Sequence, residues 1–273
     1  MIIELFGPPG AGKTTLSRAL IARLRERGHS AALRLSYRPS ERLQTIDTCR
    51  PIARRYRNAV VDRLRRPFVE TLSIARHPLA NSRDVMTALQ LVRLLPPANI
   101  LASIKEGQYL LRLSHSWYDE SRLARVALFD QGFVQAVCSL ALLASGADDA
   151  LIASALECAP KSDLLIRMVA PLELLTARLH DRRSRQSTIE QLFESDLKTN
   201  LASISMIDRL HGLLLQRGRS VLSVSSIDQH SLDESVNLIE REINGRLQNR
   251  AQRSTVIATA RAAASHHGRD SHA

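Results

Sequence analysis

Five short runs of apolar residues along the chain have the length and composition of buried β-strands. Each run is almost continuously apolar, which is typical of strands covered on both faces of a sheet. The runs are Ile2–Phe6, Ala31–Leu35, Val126–Phe129, Leu164–Val169 and Val221–Val224. Because helical patterns lie between these strands, the sequence predicts an α/β fold with a five-stranded parallel sheet between helices.

Apolar residues recur at helical spacing in four further segments. These segments are Lys13–Arg27, Leu172–Arg185, Ile189–Gln216 and Ser231–Leu247. Gly28 stands where the first helix is expected to end. The last segment begins "SLDE", in which Ser231 is followed three residues later by Glu, and this spacing predicts a capping box at its start.

Residues 36–124 interrupt the alternation of strands and helices. Val85–Leu95 and Ile100–Leu111 have helical patterns separated by two prolines, so this region is expected to be a mostly helical insertion within one domain of residues 1–245. Residues 246–273 lose apolar periodicity and are rich in Arg, Ala, Ser and His. This composition predicts a disordered basic tail.

The stretch "GPPGAGKT" at residues 7–14 fits the phosphate-binding pattern GxxxxGK[ST], between a predicted strand and a predicted helix. Glycines let the backbone wrap closely around phosphate oxygens, and the amides of residues 10–15 would point into a nest at a helix N-terminus. Lys13 is expected to reach the β- and γ-phosphates, and the hydroxyl of Thr14 to bind Mg²⁺. The predicted nucleotide-binding residues of this loop are Gly7, Gly10, Ala11, Gly12, Lys13, Thr14 and Thr15.

A second candidate site residue is Asp130, which follows the strand Val126–Phe129 in "RVALFDQGFVQ". The carboxyl end of a parallel strand lies at the edge of the sheet where ligands bind. There a carboxylate can hold Mg²⁺ through water or accept the proton of an acceptor hydroxyl. The structural alternative is that Asp130 only caps the next helix.

Three arginines in "PLELLTARLHDRRSRQS" form the third candidate feature. Arg178, Arg182 and Arg185 are spaced i, i+4 and i+7, so they share one face of the predicted helix. Guanidinium groups that close over a phosphoryl group would neutralise the charge that develops during its transfer, with Arg182 in a catalytic role. A solvated basic helix is the alternative interpretation.

The chain carries a formal net charge of +11, and only four of its 38 basic residues are Lys. The segment 34–66 holds ten Arg against three acidic residues, which favours an anionic ligand such as a phosphorylated substrate, a nucleic acid or an acidic glycan. A solvated helical face fits the same composition. No apolar run is long enough to span a bilayer, and no secretion signal is present, so cytoplasmic localisation is expected.

Together the three features resemble the P-loop nucleoside and nucleotide kinases, in their thymidylate kinase-like branch. The resemblance covers residues 1–35 and 120–243, and it rests on "GPPGAGKTT", "FDQG" and the arginine-rich helix. It implies a parallel sheet, a helical acceptor-binding region and a mobile lid at residues 172–190. It also implies ATP and Mg²⁺ at Lys13 and Thr14, Asp130 near the acceptor, and the three arginines in the lid.

The sequence departs from this family at Gln131, where thymidylate kinases have Arg after the Asp. The Arg that would grip an acceptor phosphate is missing at that place, so a nucleoside, a sugar or a glycan-biosynthesis intermediate is as plausible an acceptor as a nucleotide. The basic segment 34–66 or Arg112 could grip the acceptor instead. His115, Trp117 and Tyr118 could line its pocket or form a packing cluster.

Other classes of P-loop protein remain open at this stage. A GTPase is disfavoured, because the chain has neither a base-reading N-K-x-D after a strand nor a D-x-x-G switch. A nucleic-acid-binding NTPase is favoured by the positive charge and disfavoured by an aromatic content of 4%. A regulator that binds nucleotide without turnover is a further alternative. The expected partners are a nucleoside triphosphate and a small polar or anionic acceptor, with a homodimer as one possible assembly.

Overall fold

The computed structural model describes residues 1–35, 82–185 and 197–267. The strands are β1 (Ile2–Phe6), β2 (Ala31–Arg34), β3 (Val126–Phe129), β4 (Leu164–Val169) and β5 (Val221–Ser225). The helices are α1 (Lys13–Glu26), α2 (Ser82–Leu94), α3 (Ile100–Ser121), α4 (Phe133–Leu143), α5 (Asp149–Cys158), α6 (Leu172–Arg185), α7 (Leu197–Gln216) and α8 (Gln229–His267). Every predicted strand is present, with ends that differ by at most one residue.

The five strands form one parallel sheet in the order β2-β3-β1-β4-β5, which confirms the predicted fold class. Strand β1 pairs with β3 on one side and β4 on the other, so that Ile3 lies beside both Leu128 and Leu164. All five residues of β1 are buried. This central position explains why β1 shows no alternation of apolar and polar residues apart from Glu4.

Helices cover both faces of the sheet. Ile2 and Phe6 of β1 belong to a core cluster with residues of α2, α3, α4, α5 and α7. Ile3 and Leu5 belong to a second cluster, with α1, α6 and α8. Successive residues of a strand point to opposite faces, so a single five-residue strand contributes to both cores.

Local hydrogen bonds define the ends of several helices. At the end of α1, Gly28 has a φ of +83°, and the N–H of His29 donates to Leu24 O at 2.9 Å, the arrangement that glycine favours after a helix. At the start of α8, the Asp228 carboxylate accepts from Ser231 N–H at 2.8 Å, and the Ser231 hydroxyl accepts from Asp228 N–H at 3.0 Å. The predicted capping box that begins at Ser231 is therefore wrong by one turn, since Ser231 is its second member.

The insertion between β2 and β3 is helical where it is described, in α2 and α3, while residues 36–81 lie outside the described residues. Helices α4 and α5 were not singled out from the sequence. Helix α8 passes Gly245 without a break and ends at His267, where the sequence predicted an end at residue 247. Disorder of the tail and the domain bounds stay predictions. None of the described helices combines the length and apolar character needed to cross a membrane.

Alanine substitutions at two glycines test these helix assignments, because they are expected to change the free energy of unfolding in opposite directions. An alanine at Gly28 would meet no neighbouring atom, but it would have to adopt a left-handed conformation. Gly28→Ala is expected to lower the free energy of unfolding by about 1 kcal/mol. Gly212 lies inside α7, and a Cβ there also meets nothing. Gly212→Ala is expected to raise the free energy of unfolding by about 0.5 to 1 kcal/mol. Urea denaturation measures both, and a loss of stability at Gly212 would contradict the helix assignment.

Candidate functional site

The phosphate-binding loop lies at a crevice in the carboxyl edge of the sheet. The chain leaves β1 for α1, which packs on one face, and leaves the adjacent β3 for α4, which packs on the other. In open α/β sheets, ligands bind where two neighbouring strands send their connections to opposite faces. The topology therefore places "GPPGAGKT" and Asp130 on the two sides of the preferred binding position.

Lys13 begins α1, and its side chain folds back into the loop. Its ammonium group donates to Gly7 O at 2.6 Å and to Pro8 O at 2.9 Å. Only 7% of the residue is exposed. A buried ammonium group requires such partners, and phosphate oxygens have the acceptor chemistry to replace these carbonyl oxygens. The loop thus holds a positive charge at the N-terminus of a helix, where anions are favoured.

Two of the loop glycines are required by close contacts. A Cβ at Gly7 would lie 2.8 Å from the Met168 carbonyl oxygen of β4, and a Cβ at Gly12 would lie 3.1 Å from the Ser226 hydroxyl oxygen. Both residues also have positive φ values, of 153° and 91°. The loop consequently packs against the ends of β4 and β5, which fixes its position relative to the sheet.

A cleft of about 450 Å³ opens in front of the loop. Six of the seven predicted loop residues line it, together with Arg178 from α6 and residues that follow β5. The lining residues are Gly10, Ala11, Gly12, Lys13, Thr14, Thr15, Arg178, Ser226, Ile227, Asp228, Gln229 and Leu232. The residues after β5, which the sequence analysis did not select, form the wall opposite the loop.

Arg178 connects the two walls of this cleft. Its guanidinium group donates to Gly10 O at 3.0 Å in the loop, and to Ser226 O at 3.2 Å and Ile227 O at 2.9 Å after β5. The planar guanidinium suits several carbonyl acceptors at once. Arg182 and Arg185 follow on α6, but their side chains lie outside the described part of the structure. Their predicted contact with phosphate stays a prediction.

Asp130 follows β3 directly and is 2% exposed. Its N–H donates to Arg34 O at 3.2 Å, which continues the pairing between β2 and β3. The residue does not line the described cleft in front of the loop, and its carboxylate is close enough to Tyr109 of α3 to affect the pKa of that residue. Of the two candidate Mg²⁺ ligands, Thr14 lines the cleft and Asp130 is buried outside its lining.

Tyr109 on α3 lies near Asp130, and the sequence analysis did not select it. Its hydroxyl oxygen is buried and has no hydrogen-bond partner among the described residues. Burial raises the pKa of Tyr109, and the carboxylates of Asp130, Glu106 and Glu4 raise it further, while Arg112 lowers it. These charges therefore surround one phenol on the α4 side of β1. A polar ligand with a hydroxyl or amine group fits such surroundings.

Glu4 is the second residue that the sequence analysis missed. It is 1% exposed in the middle of β1, and its Oε1 accepts from Val134 N–H of α4 at 2.5 Å. One residue further along α4, the side-chain oxygen of Gln135 accepts from Gly7 N–H at 3.2 Å. The signal was present in the sequence, since Glu4 is the one charged residue in the apolar run "IIELF".

The aromatic stretch before β3 has a packing role. Trp117 is buried, and its ring centroid lies 4.9 Å from that of Phe129 and 5.1 Å from that of Phe133. His115 contacts Asp84 Oδ2 at 3.0 Å, and Tyr118 contacts Thr87 Oγ1 at 3.3 Å, so both join α3 to α2. These contacts support the packing-cluster interpretation.

Most of the basic segment 34–66 lies outside the described residues. Its first arginine, Arg34, is described, and its Nε donates to Glu120 Oε1 at 2.6 Å. Arg125 Nε donates to the other oxygen of the same buried carboxylate at 2.8 Å. Arg34 is thus held in an ion pair with Glu120.

Within the described ranges, no three His, Cys, Asp or Glu side chains come together as a metal site. The oxygen donors near the loop include the Thr14 hydroxyl in the cleft and the buried Asp130 carboxylate. Mg²⁺ prefers oxygen ligands and commonly shares them with substrate phosphates and water. The donor set therefore fits a magnesium ion that enters with a nucleotide.

Comparisons with known proteins find similarity at the level of three-dimensional structure alone. No protein-family model matches the chain, and no curated protein matches it. Deoxyadenosine kinase from M. mycoides with the products dCMP and a flexible dCDP bound has a TM-score of 0.45 at 13% identity, covering 90% of this chain and 100% of that one. The same enzyme with bound dATP has a TM-score of 0.43 at 12% identity, covering 89% of this chain and 100% of that one. Likeness at this level does not carry over a substrate or an activity.

The buried Glu4 predicts a pH dependence of stability. Burial raises its pKa from 4.5 to about 8, although the hydrogen bond from Val134 N–H favours the ionised form. Between these two pH values the unfolded chain has lost the proton that the folded chain keeps, so the free energy of unfolding is expected to fall as the pH rises from 4.5 to 8. Glu4→Gln should flatten this slope. Urea denaturation at pH 5.5, 7 and 8.5 checks both statements, and parallel pH profiles of the two proteins would contradict them.

Proposed function

We propose that the protein is a phosphotransferase that moves the γ-phosphoryl group of ATP to a hydroxyl or other polar group of a small molecule. The observation that carries the proposal is the position of the phosphate-binding loop, with its buried Lys13. The loop shares a strand-switch crevice with the buried carboxylate of Asp130. Phosphoryl transfer requires positioning and charge neutralisation more than covalent participation by the protein, and these groups supply both.

The donor nucleotide would occupy the cleft in front of the loop. Its phosphates would accept hydrogen bonds from the amides at the start of α1 and from Lys13, in place of the Gly7 and Pro8 carbonyls. The base would then lie toward the wall formed by residues that follow β5, among them Leu232. Arg178 holds that wall to the loop through Gly10 and Ile227, so it maintains the width of the cleft.

The acceptor would lie on the α4 side of β1, near Asp130 and Tyr109. Asp130 accepts the proton of the acceptor hydroxyl as its oxygen attacks the γ-phosphorus. The bond between that phosphorus and the β,γ-bridging oxygen breaks, ADP leaves with the bridging oxygen, and the acceptor carries the new phosphate ester. The Tyr109 hydroxyl, which lacks a partner among the described residues, would hydrogen-bond to the acceptor.

When Mg²⁺ accompanies the nucleotide, it supplies neutralisation of the charge on the β- and γ-phosphates. The Thr14 hydroxyl and, directly or through water, the Asp130 carboxylate would hold it.

We also propose that Arg182 and Arg185 belong to a lid over residues 172–190 and approach the transferred group. Membership of the thymidylate kinase-like branch is supported by the sequence motifs alone, and Gln131 makes a nucleoside, a sugar or a glycan-biosynthesis intermediate as plausible an acceptor as a nucleotide. The proposed location is the cytoplasm.

Lys13 provides the most direct test of the nucleotide site. Removing a charged donor that stabilises the transition state costs about 100- to 1,000-fold in rate, so Lys13→Ala is expected to lose ATP turnover by at least that factor. Its folding should survive, since the side chain lies in the loop, where its ammonium group donates to the Gly7 and Pro8 carbonyls. Lys161→Ala, at an exposed lysine in the loop before β4, is the matched control. Retained turnover in Lys13→Ala, with circular dichroism unchanged, would contradict the assignment.

The acceptor half is tested with Mg-ATP and a panel of nucleosides, nucleotides, sugars and sugar phosphates, with ADP formation as the readout. Asp130→Asn is expected to lower kcat by about 100- to 10,000-fold, because it removes the proton acceptor. Its affinity for a fluorescent ATP analogue, measured without Mg²⁺, should stay within about threefold, since Asp130 does not line the described cleft. If ATP binds and no acceptor yields ADP above background, a non-catalytic nucleotide-binding role is the better description.

A further inference from the structure

Glu4 is an ionisable residue at a buried position of the central strand, where an apolar residue is usual. It belongs to the central strand of the sheet, between Ile3 and Leu5, which are both fully buried. Its side chain shares a face with Ile2 and Phe6, on the side of the sheet covered by α3 and α4. A buried carboxyl group is costly unless it has hydrogen-bond partners, so its contacts indicate what it does.

The first contact of Glu4 is with the start of α4. Gly132 occupies the N-cap position of this helix and provides no side chain to cap it. Glu4 Oε1 accepts from Val134 N–H at 2.5 Å, and the backbone of Gln135 also hydrogen-bonds to the carboxyl group. A residue 130 positions away in the sequence thus caps the helix that follows Asp130.

The second contact of Glu4 is steric. Gly132 has a negative φ of −118°, so its backbone conformation does not call for glycine. A Cβ at this residue would nevertheless lie 2.5 Å from Glu4 Cδ and 2.8 Å from Glu4 Oε1. Such distances are far inside van der Waals contact. Gly132 is therefore required because the turn after Asp130 lies directly against the Glu4 carboxyl group.

The same turn is tied to the phosphate-binding loop at a second point. The side-chain oxygen of Gln135 accepts from Gly7 N–H at 3.2 Å. At its other end, the turn follows Phe129, which is the register partner of Glu4 in the parallel pairing of β1 and β3. The turn 130–132 is consequently held on both sides by the segment Glu4–Gly7, which leads into the loop.

We propose that Glu4 is a positioning residue for Asp130, whose carboxyl group sets the distance between Asp130 and the phosphate-binding loop by capping α4 and supporting Gly132. The catalytic consequence rests on the proposed transfer reaction, in which Asp130 receives the acceptor's proton. The capping of α4 and the support of Gly132 by Glu4 do not depend on that reaction, because both are contacts between described groups of the protein itself.

Trp117 provides a readout of the turn that does not require activity. It is the only tryptophan in the chain. Its ring contacts Phe129 immediately before the turn and Phe133 immediately after it, at centroid distances of 4.9 and 5.1 Å. A displacement of the turn therefore changes the surroundings of the one indole ring, and its emission maximum and acrylamide quenching report the change.

The decisive experiment is a double-mutant cycle between Glu4 and Gly132. Gly132→Ala is expected to shift the Trp117 emission and at least double its quenching constant, because the new methyl group meets the Glu4 carboxyl group. In a Glu4→Ala background the methyl group has space, so adding Gly132→Ala should change the emission little. Gly107→Ala, at a site on α3 where a Cβ meets nothing, is the matched control. Equal effects of Gly132→Ala in both backgrounds would overturn the proposal.

A second pair of variants covers the case in which Gly132→Ala does not fold. Glu4→Gln keeps an oxygen acceptor for Val134 N–H, whereas Glu4→Leu removes it at similar size. Glu4→Gln is expected to retain wild-type emission and hydrogen-exchange protection at Val134, and Glu4→Leu to lose both. Wild-type emission and protection in folded Glu4→Leu would also overturn the proposal.

Steady-state kinetics of the Glu4 variants then distinguish a displaced Asp130 from a general loss of structure. With an accepted substrate, Glu4→Leu should lower kcat about tenfold or more while the KM for ATP stays within about threefold, and Glu4→Gln should restore kcat. A parallel rise of the KM for ATP with no change in kcat would contradict a role in positioning Asp130. If the wild-type protein phosphorylates no acceptor, the proposed function fails, and the fluorescence cycle still decides the role of Glu4.

Discussion

The pairing of β1 with a strand on each side is the constraint on which the site depends. Because β1 is bonded to both β3 and β4, the loop that follows it is held at the centre of the carboxyl edge of the sheet. Gly7 packs against Met168 of β4, and Gly12 packs against Ser226 after β5. A phosphate-binding loop needs a rigid backbone, since its donors are mainly amides whose directions are set by the chain. The sheet supplies that rigidity.

Two buried ionisable residues belong to this same short segment, and each is held by backbone groups. Lys13 donates to carbonyl oxygens of the loop, and Glu4 accepts from the start of α4. The carbonyl partners of Lys13 lie in the loop, and the amide partner of Glu4 lies at the start of α4. The segment therefore carries one buried ionisable group on the cleft and another beside the turn after Asp130.

Arg178 lines the cleft, but its described contacts differ from the predicted ones. Its helical spacing with Arg182 and Arg185 suggested that all three would close over phosphate. The structure shows Arg178 bonded to carbonyl oxygens of the loop and of the residues after β5, which joins the two walls of the cleft. Helical spacing specifies which residues share a face, but it does not specify what that face meets. Helix α6 follows β4, and only the packing of β4 beside β5 brings its first turns to residues 226 and 227.

The sequence by itself determined the strands, the loop and the position of Asp130. Apolar runs, glycines and the Lys-Thr pair are local signals, and a parallel sheet follows from the alternation of elements. Helix boundaries followed from the sequence less directly, since Asp228 and Ser231 cap α8 together, one turn before the predicted box. Only the tertiary structure decided the strand order, the cleft wall after β5, and the grouping of Tyr109, Glu4 and Asp130. Those features join residues separated by many positions in the chain, and the contacts of Glu4 with Gly132 and Val134 exist only because β1 and β3 are neighbours in the sheet.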